Sequence, residues 1–318
     1  MRIFVTGASG FVGTHIVTAL RERGAEIPDE RAELLDRAEL EDAFAGCDAV
    51  VHAAARYSYD DEPARIHQVN VEGTRNVLEA CARSGVGRLV YTSTAGTCGP
   101  VRGRPATEED IPPLRELSVP YKRSKVEAER LVLEAARSEL DALVVNPTVP
   151  VGEGDLRPTP TGRMIAGVAG GWIRGYIPTT GLNVVDVRDV GEGHALALEH
   201  GCAGERYLLG GVNLWLGELF AVVAALAGQS RPRIRVPYGL ALAAATVGLA
   251  NQNEVRLARL PMFFSSAKAE RELGYAPGPV EPALARAVAE LAPQPFSTRR
   301  DSRRPAKATA PPPTASRT

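Results

Sequence analysis

Cysteine is scarce in this 318-residue chain: Cys47, Cys81, Cys98 and Cys202 form no CxxC pair and share no spacing with the five histidines. That pattern argues against a disulfide framework or a structural metal, and it fits a reducing compartment such as the cytoplasm. An excess of either charge is missing too. Lys and Arg number 37 against 38 Asp and Glu, so no nucleic-acid footprint is expected. Long hydrophobic runs are also absent. The longest, Tyr238 to Ala250, covers about 13 residues where a membrane span needs about 20, and it reads as a core helix. The basic residues Arg231, Arg233 and Arg235 precede it, so weak peripheral membrane contact is a second reading. No secretory leader is expected, because a strand pattern begins at once. Beyond about Pro293 apolar residues almost vanish, which predicts a disordered tail over 293–318.

What is present starts at the first residues, MRIFVTGASGFVGTHIVTALRERG. Ile3 to Thr6 reads as a buried strand, Gly7 to Gly13 as a glycine-rich turn, and Val12 to Arg23 as an amphipathic helix. Gly7 suits a tight turn, Gly10 removes a side chain where backbone meets a phosphate, and Gly13 lets helix and strand close together. A helix start there offers unpaired N–H groups and a positive dipole end to a pyrophosphate. Dinucleotide binding is the expectation.

The next strand is stunted: Ala25 to Ile27 begins one and Pro28 cuts it short. Asp29 or Arg31 would meet the adenosine ribose at its tip. Strands are expected at Ala49 to Ala54, Arg88 to Thr92, Val144 to Asn146, Val184 to Val187 and Arg206 to Leu209. Helices are expected at Ala38 to Ala45, from Asn70 to Gly85, and from Tyr121 to Ser138. Further helices should follow Asp189, read as a cap, and occupy Leu216 to Ala227 and Val280 to Leu291. Ala53 and Ala54 leave space over the strand ends. His52 either packs in its strand or lines the crevice. Asp60 to Ala64 reads as a surface loop, Gly96 to Pro120 as a loop that covers substrate, and Lys268 with Glu270 as an exposed pair.

The chemistry concentrates in three residues. Thr92, Ser93 and Thr94 place hydroxyls at the carboxyl end of a strand, where open α/β sheets bind ligands. Tyr121 and Lys125 stand four apart on one helical face. An ammonium there should lower the phenol's pKa, so that it can exchange a proton with a carbinol as hydride leaves or returns. Thr94 or Ser93 would hydrogen-bond the reacting oxygen. Asn146, Thr148 and Arg163 flank the following loop, where Asn and Thr suit a polar substrate and Arg a phosphate. Asp186, Asp189 and His194 show no metal-ligand spacing, and no metal is expected.

Together these marks resemble the extended short-chain dehydrogenase/reductase family of NAD-dependent epimerases, dehydratases and reductases. They are VTGASGFVG (5–13), HAAA (52–55), NVEGTRNVLEA (70–80), YTSTA (91–95), YKRSK (121–125) and NPTVPVG (146–152). Longer runs, among them NPTVPVGEGDLRPTPTGRMI and MFFSSAKAERELGY, look like a hopanoid-associated sugar epimerase subgroup. The likeness implies a Rossmann-like, doubly wound parallel α/β sheet with a smaller, partly helical substrate lobe. The dinucleotide-binding domain would span 1–146 and 181–204, and the substrate lobe 147–180 and 205–292. NAD or NADP would lie on Gly7, Gly10, Phe11, Val12 and Gly13, with Ala53, Ala54, Asn70, Thr92, Asn146 and Thr148 around it. Thr94, Tyr121 and Lys125 would be catalytic. The substrate would be a small molecule, a sugar or sugar nucleotide, and the protein a cytoplasmic homodimer. A dihydroflavonol-reductase-like carbonyl reductase and a non-enzymatic NAD(P) sensor are the alternatives. The chain departs from the family pattern in a second- and third-strand region short by about 20–25 residues relative to a doubly wound half-sheet. It also departs in Thr94 for serine and Ala267 for aspartate.

Overall fold

A computed structural model describes residues 1–57, 61–138 and 140–292. The expected tail 293–318 and the start of the expected surface loop, at Asp60, lie outside the described residues. The chain opens with β1 (Ile3–Thr6), α1 (Phe11–Glu22), α2 (Arg37–Phe44) and β2 (Ala49–His52). A helical stretch follows: α3 (Pro63–His67), a π turn (Gln68–Glu72) and α4 (Gly73–Ser84), which Gly85 ends in the left-handed conformation at φ 68°. Then come β3 (Arg88–Thr92), α5 (Pro120–Ala136), β4 (Ala142–Pro147), β5 (Val149–Val151), α6 (Pro160–Ala169), β6 (Gly175–Tyr176), β7 (Gly181–Asp186), α7 (Val187–His200) and β8 (Arg206–Leu209). The remainder is β9 (Val212–Trp215), α8 (Leu216–Leu226), β10 (Ile234–Arg235), α9 (Tyr238–Thr246), α10 (Gln252–Leu257), α11 (Ala267–Leu273) and α12 (Glu281–Leu291).

The main sheet is parallel throughout, in the order β1-β2-β3-β4-β8. Its strands are near-continuous apolar runs because helices cover both faces. Side chains alternate between two cores. Ile3, Val5, Val51, Val90 and Val145 join α1 and α7 residues on one face. Phe4, Val50, Leu89, Tyr91 and Val144 join α2, α4 and α5 residues on the other. Phe4 meets Phe44 of α2 with ring centroids 5.3 Å apart.

A doubly wound sheet ordinarily continues past its first strand. Here the described residues offer only one bridge on that side, Arg2 to Glu26. The expected shortening is therefore a loss of strands. Asp29 pairs with Arg21 at 3.0 Å on the surface, so neither it nor Arg31 stands at a strand tip.

The second lobe packs α6, α8 and α12 around Val151, Ile165, Val184, Phe220 and Leu284, over a three-stranded sheet ordered β5-β7-β9. This redraws the expected division. β8 belongs to the main sheet although 205–292 was assigned to the second lobe, and β7 joins the smaller sheet although 181–204 was assigned to the first. The reason is pairing: β8 completes the edge beside β4, while β7 takes β5 and β9 as neighbours.

Four local expectations change as well. Asn70 does not open a helix but sits in the π turn of one helical run. Asp186 caps α7 by accepting Arg188 N–H, whereas Asp189 accepts Gly278 N–H at 2.8 Å. Lys268 pairs with Glu205 at 2.5 Å, its ammonium 4.9 Å from the Tyr207 ring centroid, and not with Glu270. Tyr238 to Ala250 is not a core helix, since α9 buries Ala245 alone.

The α1–α7 contact needs a glycine. A Cβ at Gly191 would lie 2.5 Å from His15 O on α1. Gly191→Val should therefore destabilise the fold by about 1–3 kcal/mol through overpacking. Urea unfolding should show a lower midpoint at unchanged slope; an unchanged midpoint would mean that the helices are not in this close contact.

Candidate active site

The site is built on backbone closeness at the sheet's carboxyl edge. Gly7 turns at φ 74°, and a Cβ there would meet Ala54 N at 2.7 Å. A Cβ at Gly13 would lie 2.0 Å from Gly7 O. The turn closes through Gly10 N–H donating to Gly7 O at 2.9 Å. Gly10 is exposed and precedes α1, whose first turn carries no acidic residue and no side-chain cap. Free N–H groups and an unneutralised dipole end face outward there. These residues fit a pyrophosphate, and Phe11 and Val12, both half-buried, stand beside it. The adenosine side lacks the strand that ordinarily carries the ribose-contacting residue.

Behind the turn, Thr6, His52, Thr74 and Asn70 form a chain of hydrogen bonds. Thr74 Oγ1 donates to Asn70 O at 2.7 Å, so it accepts from His52 Nε2–H at 3.1 Å. His52 Nδ1 then accepts from Thr6 Oγ1 at 2.7 Å, which leaves that oxygen to accept Ala54 N–H at 3.2 Å. The imidazole is thus fixed as a neutral tautomer. Burial, aided by Lys125, takes its pKa down to about 3. His52 is a packed strand residue and does not line the crevice. Asn70 holds the strand end from both sides: Oδ1 accepts Arg56 N–H at 2.7 Å, and Nδ2 donates to Arg56 O at 3.2 Å and Ser124 Oγ at 2.9 Å. Its role is support for the residues after β2, where Ala53 and Ala54 stay partly open.

The β3 end is set by α5 and α7. Thr92 O accepts Lys125 Nζ at 2.7 Å. His194 Nδ1–H donates to Val190 O at 2.7 Å, so its Nε2 accepts from Thr92 Oγ1 at 2.9 Å. Burial lowers the His194 pKa to about 4, against the opposing Val190 bond, so it too is neutral. The Thr92 hydroxyl is thereby committed to His194. Thr94 is extended and half-buried; its Oγ1 accepts Gly96 N–H at 3.3 Å.

Tyr121 lies half-buried on α5, its ring 4.7 Å from Tyr57 centroid to centroid. Burial, followed by Tyr57, raises its pKa. The expected acidic phenol is therefore not found in this state. Lys125 is turned to the Thr92 carbonyl and sits 4.5 Å from the Tyr91 ring centroid. Its own pKa falls to about 7 through burial, opposed by Glu129.

Glu129 was not anticipated. It stands one turn beyond Lys125, so YKRSKVEAE places Tyr121, Lys125 and Glu129 on one stripe of α5; that spacing was the available signal. It is buried and accepts from Thr97 Oγ1 at 2.7 Å, Asn146 Nδ2 at 2.9 Å and Arg206 Nη1 at 2.9 Å. Asn146 is 0 % exposed, and Nδ2 also donates to Thr94 O at 3.2 Å. Through that bond it braces Thr94 from behind. Thr148 remains half-buried, with Oγ1 donating to Leu209 O at 3.4 Å. Arg163 pairs with Glu254 at 3.2 Å on the surface instead of offering a phosphate clamp.

Residues 3–210 match the NAD dependent epimerase/dehydratase family. The chain belongs to that family. The putative dihydroflavonol 4-reductase of a Synechocystis strain is 34% identical over 90% of this chain and 93% of its own. Sterol demethylase protein B of Methylococcus capsulatus is 33% identical over 91% and 98%. A solved nucleoside-diphosphate-sugar epimerase from Pseudomonas aeruginosa superposes with a TM-score of 0.78 at 29% identity, covering 91% of this chain and 96% of that one. As a member of the epimerase/dehydratase family the protein is an enzyme, and its cofactor is a nicotinamide dinucleotide, NAD or NADP.

The buried ammonium gives a pH signature. Lys125 binds its proton with a pKa of about 7 when folded, against 10.5 ordinarily. The unfolded chain therefore holds more protons between those values, and stability rises with pH across that window. Lys125→Met should remove this gain. Glu129→Gln should start it at lower pH, because a charge favouring the ammonium is gone. Urea midpoints from neutral to mildly alkaline pH measure both, and parallel curves for wild type and Lys125→Met would contradict the assignment.

Proposed function

We propose that this family member is an NAD(P)-dependent oxidoreductase interconverting a carbonyl and a carbinol on a largely apolar substrate. The observation that carries the reading is the likeness to relatives named for dihydroflavonol and sterol chemistry, and a surface cleft of about 450 Å³ lined by Pro100, Val101, Ile111, Pro112, Leu114 and Leu260, with Arg102 and Arg115 also present, supports it. Most of this lining comes from the chain between Thr94 and Tyr121, the segment expected to cover substrate. Lys122 fastens that segment to α5 through Glu116 and through Gly99 O at 2.6 Å. An apolar wall suits a hydrocarbon or ring skeleton. The relatives named for dihydroflavonol and sterol chemistry support the same class of substrate.

When bound, the nicotinamide supplies or accepts hydride at the reacting carbon. Gly7, Gly10, Phe11, Val12 and Gly13 hold the pyrophosphate. Thr94 Oγ1 hydrogen-bonds the substrate oxygen and fixes its position. The Tyr121 hydroxyl gives a proton to that oxygen in reduction and takes it back in oxidation. Lys125 acts at one remove, its charge set behind the strand end by the Thr92 carbonyl and Glu129.

A sugar epimerase is the second reading, favoured by the Pseudomonas structure. The resemblance of the longer motif runs to a hopanoid-associated subgroup supports lipid biosynthesis as the setting of either chemistry, and a homodimer is part of the same proposal. Reduction consumes one NADPH or NADH per product, whereas epimerisation consumes none. With apolar ketones, stoichiometric loss of reduced cofactor is expected; turnover of a nucleotide sugar with no cofactor loss would overturn the reductase reading. Tyr121→Phe should lower kcat by about 10²–10⁴-fold while cofactor still binds. Wild-type turnover in that variant would remove Tyr121 from the chemistry.

A further inference from the structure

The apolar helix that the sequence assigns to a core is on the outside. α9 reads YGLALAAAT, apolar nearly all round, a pattern ordinarily found in protein cores or membranes. Yet only Ala245 is buried. Leu240, Ala243 and Val247 follow one another at spacings of three and four, which puts them on one stripe. Leu240 is 63 % exposed and Val247 71 %, and Leu249 just beyond is 80 % exposed. Such a patch marks an interaction surface.

The flanking charge identifies the partner. Residues 228–262 contain five arginines and one glutamate, and that glutamate, Glu254, is held by Arg163. β10 enters α9 directly and pairs in parallel with β6, while Arg174 O accepts both Arg233 N–H and Ile234 N–H at 3.1 Å. Arg174, Arg231 and Arg233 therefore converge on one open cavity of about 550 Å³, shared with Ile173 and Ile234. Among the described residues no carboxylate pairs with any of these three arginines or with Arg235. A second copy of a chain with net charge −1 would need a matching acidic face to satisfy them. An anionic lipid surface satisfies both halves at once, with phosphates at the arginines and acyl chains under the leucine stripe.

We propose that this face docks on anionic bilayers, with α9 lying in the interface and the arginine cavity taking lipid phosphate. No described helix is long and apolar enough to cross a membrane, so the contact is peripheral. The inference is independent of the catalytic reading. The full chain should co-sediment with phosphatidylcholine vesicles containing phosphatidylglycerol, and not with phosphatidylcholine alone. Added salt should weaken the binding. The triple variant Arg231→Gln, Arg233→Gln, Arg235→Gln should lose about a hundred-fold in partitioning. The triple variant Leu240→Ser, Val247→Ser, Leu249→Ser should also lose it, with thermal unfolding unchanged because these side chains are exposed. Equal binding to neutral vesicles, full binding by either variant, or no binding by wild type would overturn the proposal. So would a wild-type oligomer that dissociates in the leucine-stripe variant, which would assign the face to a second copy.

Discussion

The contact on which the rest depends is backbone against backbone, where Gly13 closes on Gly7 and Gly7 on Ala54. Neither approach leaves room for a Cβ: 2.0 Å to Gly7 O in one case and 2.7 Å to Ala54 N in the other. This closeness fixes α1 on β1 and β2 with its uncapped N-terminus at the sheet's carboxyl edge. The same edge receives the ends of β2 and β3, hence Ala53, Ala54 and Thr94. The loss of strands beyond β1 leaves this arrangement standing, because the sheet's other four strands all lie on the opposite side. The turn proposed to hold pyrophosphate is thus intact, while among the described residues only the Arg2–Glu26 bridge stands on the side where adenosine would lie.

Around that edge, buried polar groups are satisfied in chains that fix orientation. His52 and His194 are both held neutral, each with one ring nitrogen donating and the other accepting. Lys125 is a buried amine whose charged form burial disfavours, held by a carbonyl and an aromatic face and favoured as a cation only by Glu129. Glu129 links that cation to Thr97, to Asn146 under Thr94, and to Arg206 on β8. Removing one member of such a network would leave buried charge uncompensated, which is far more costly than losing a surface pair.

The local features were legible in the sequence because each is written in neighbouring residues. The glycine turn, the alternating strands, the Gly85 helix stop and the Tyr121–Lys125 stripe all belong to that class. Contacts between distant segments were not legible: Glu129 with Arg206, Thr92 with His194, and Lys268 with Glu205. Spacing shows that Tyr121 and Lys125 share a helix face, and not the burial and the Tyr57 contact that raise the phenol's pKa in this state. The position of α9 was misjudged for a related reason. Apolar content shows that burial would be favourable, but a helix is buried only where another layer exists to cover it. Asp186 and Asp189 are three residues apart at one helix start, and only the backbone shows which one is the cap.

The central claim is that the opening turn holds a nicotinamide dinucleotide through its pyrophosphate even without the strands that would cradle adenosine. Gly10→Val places a branched side chain at the exposed position of the turn. The direct measurement is a fluorescence titration of NADH and NADPH against the wild type and this variant. Saturable enhancement with at least one of the two in the wild type, and none in Gly10→Val, is the predicted result. Equal affinity in both proteins, or no binding of either cofactor to the wild type, would contradict it.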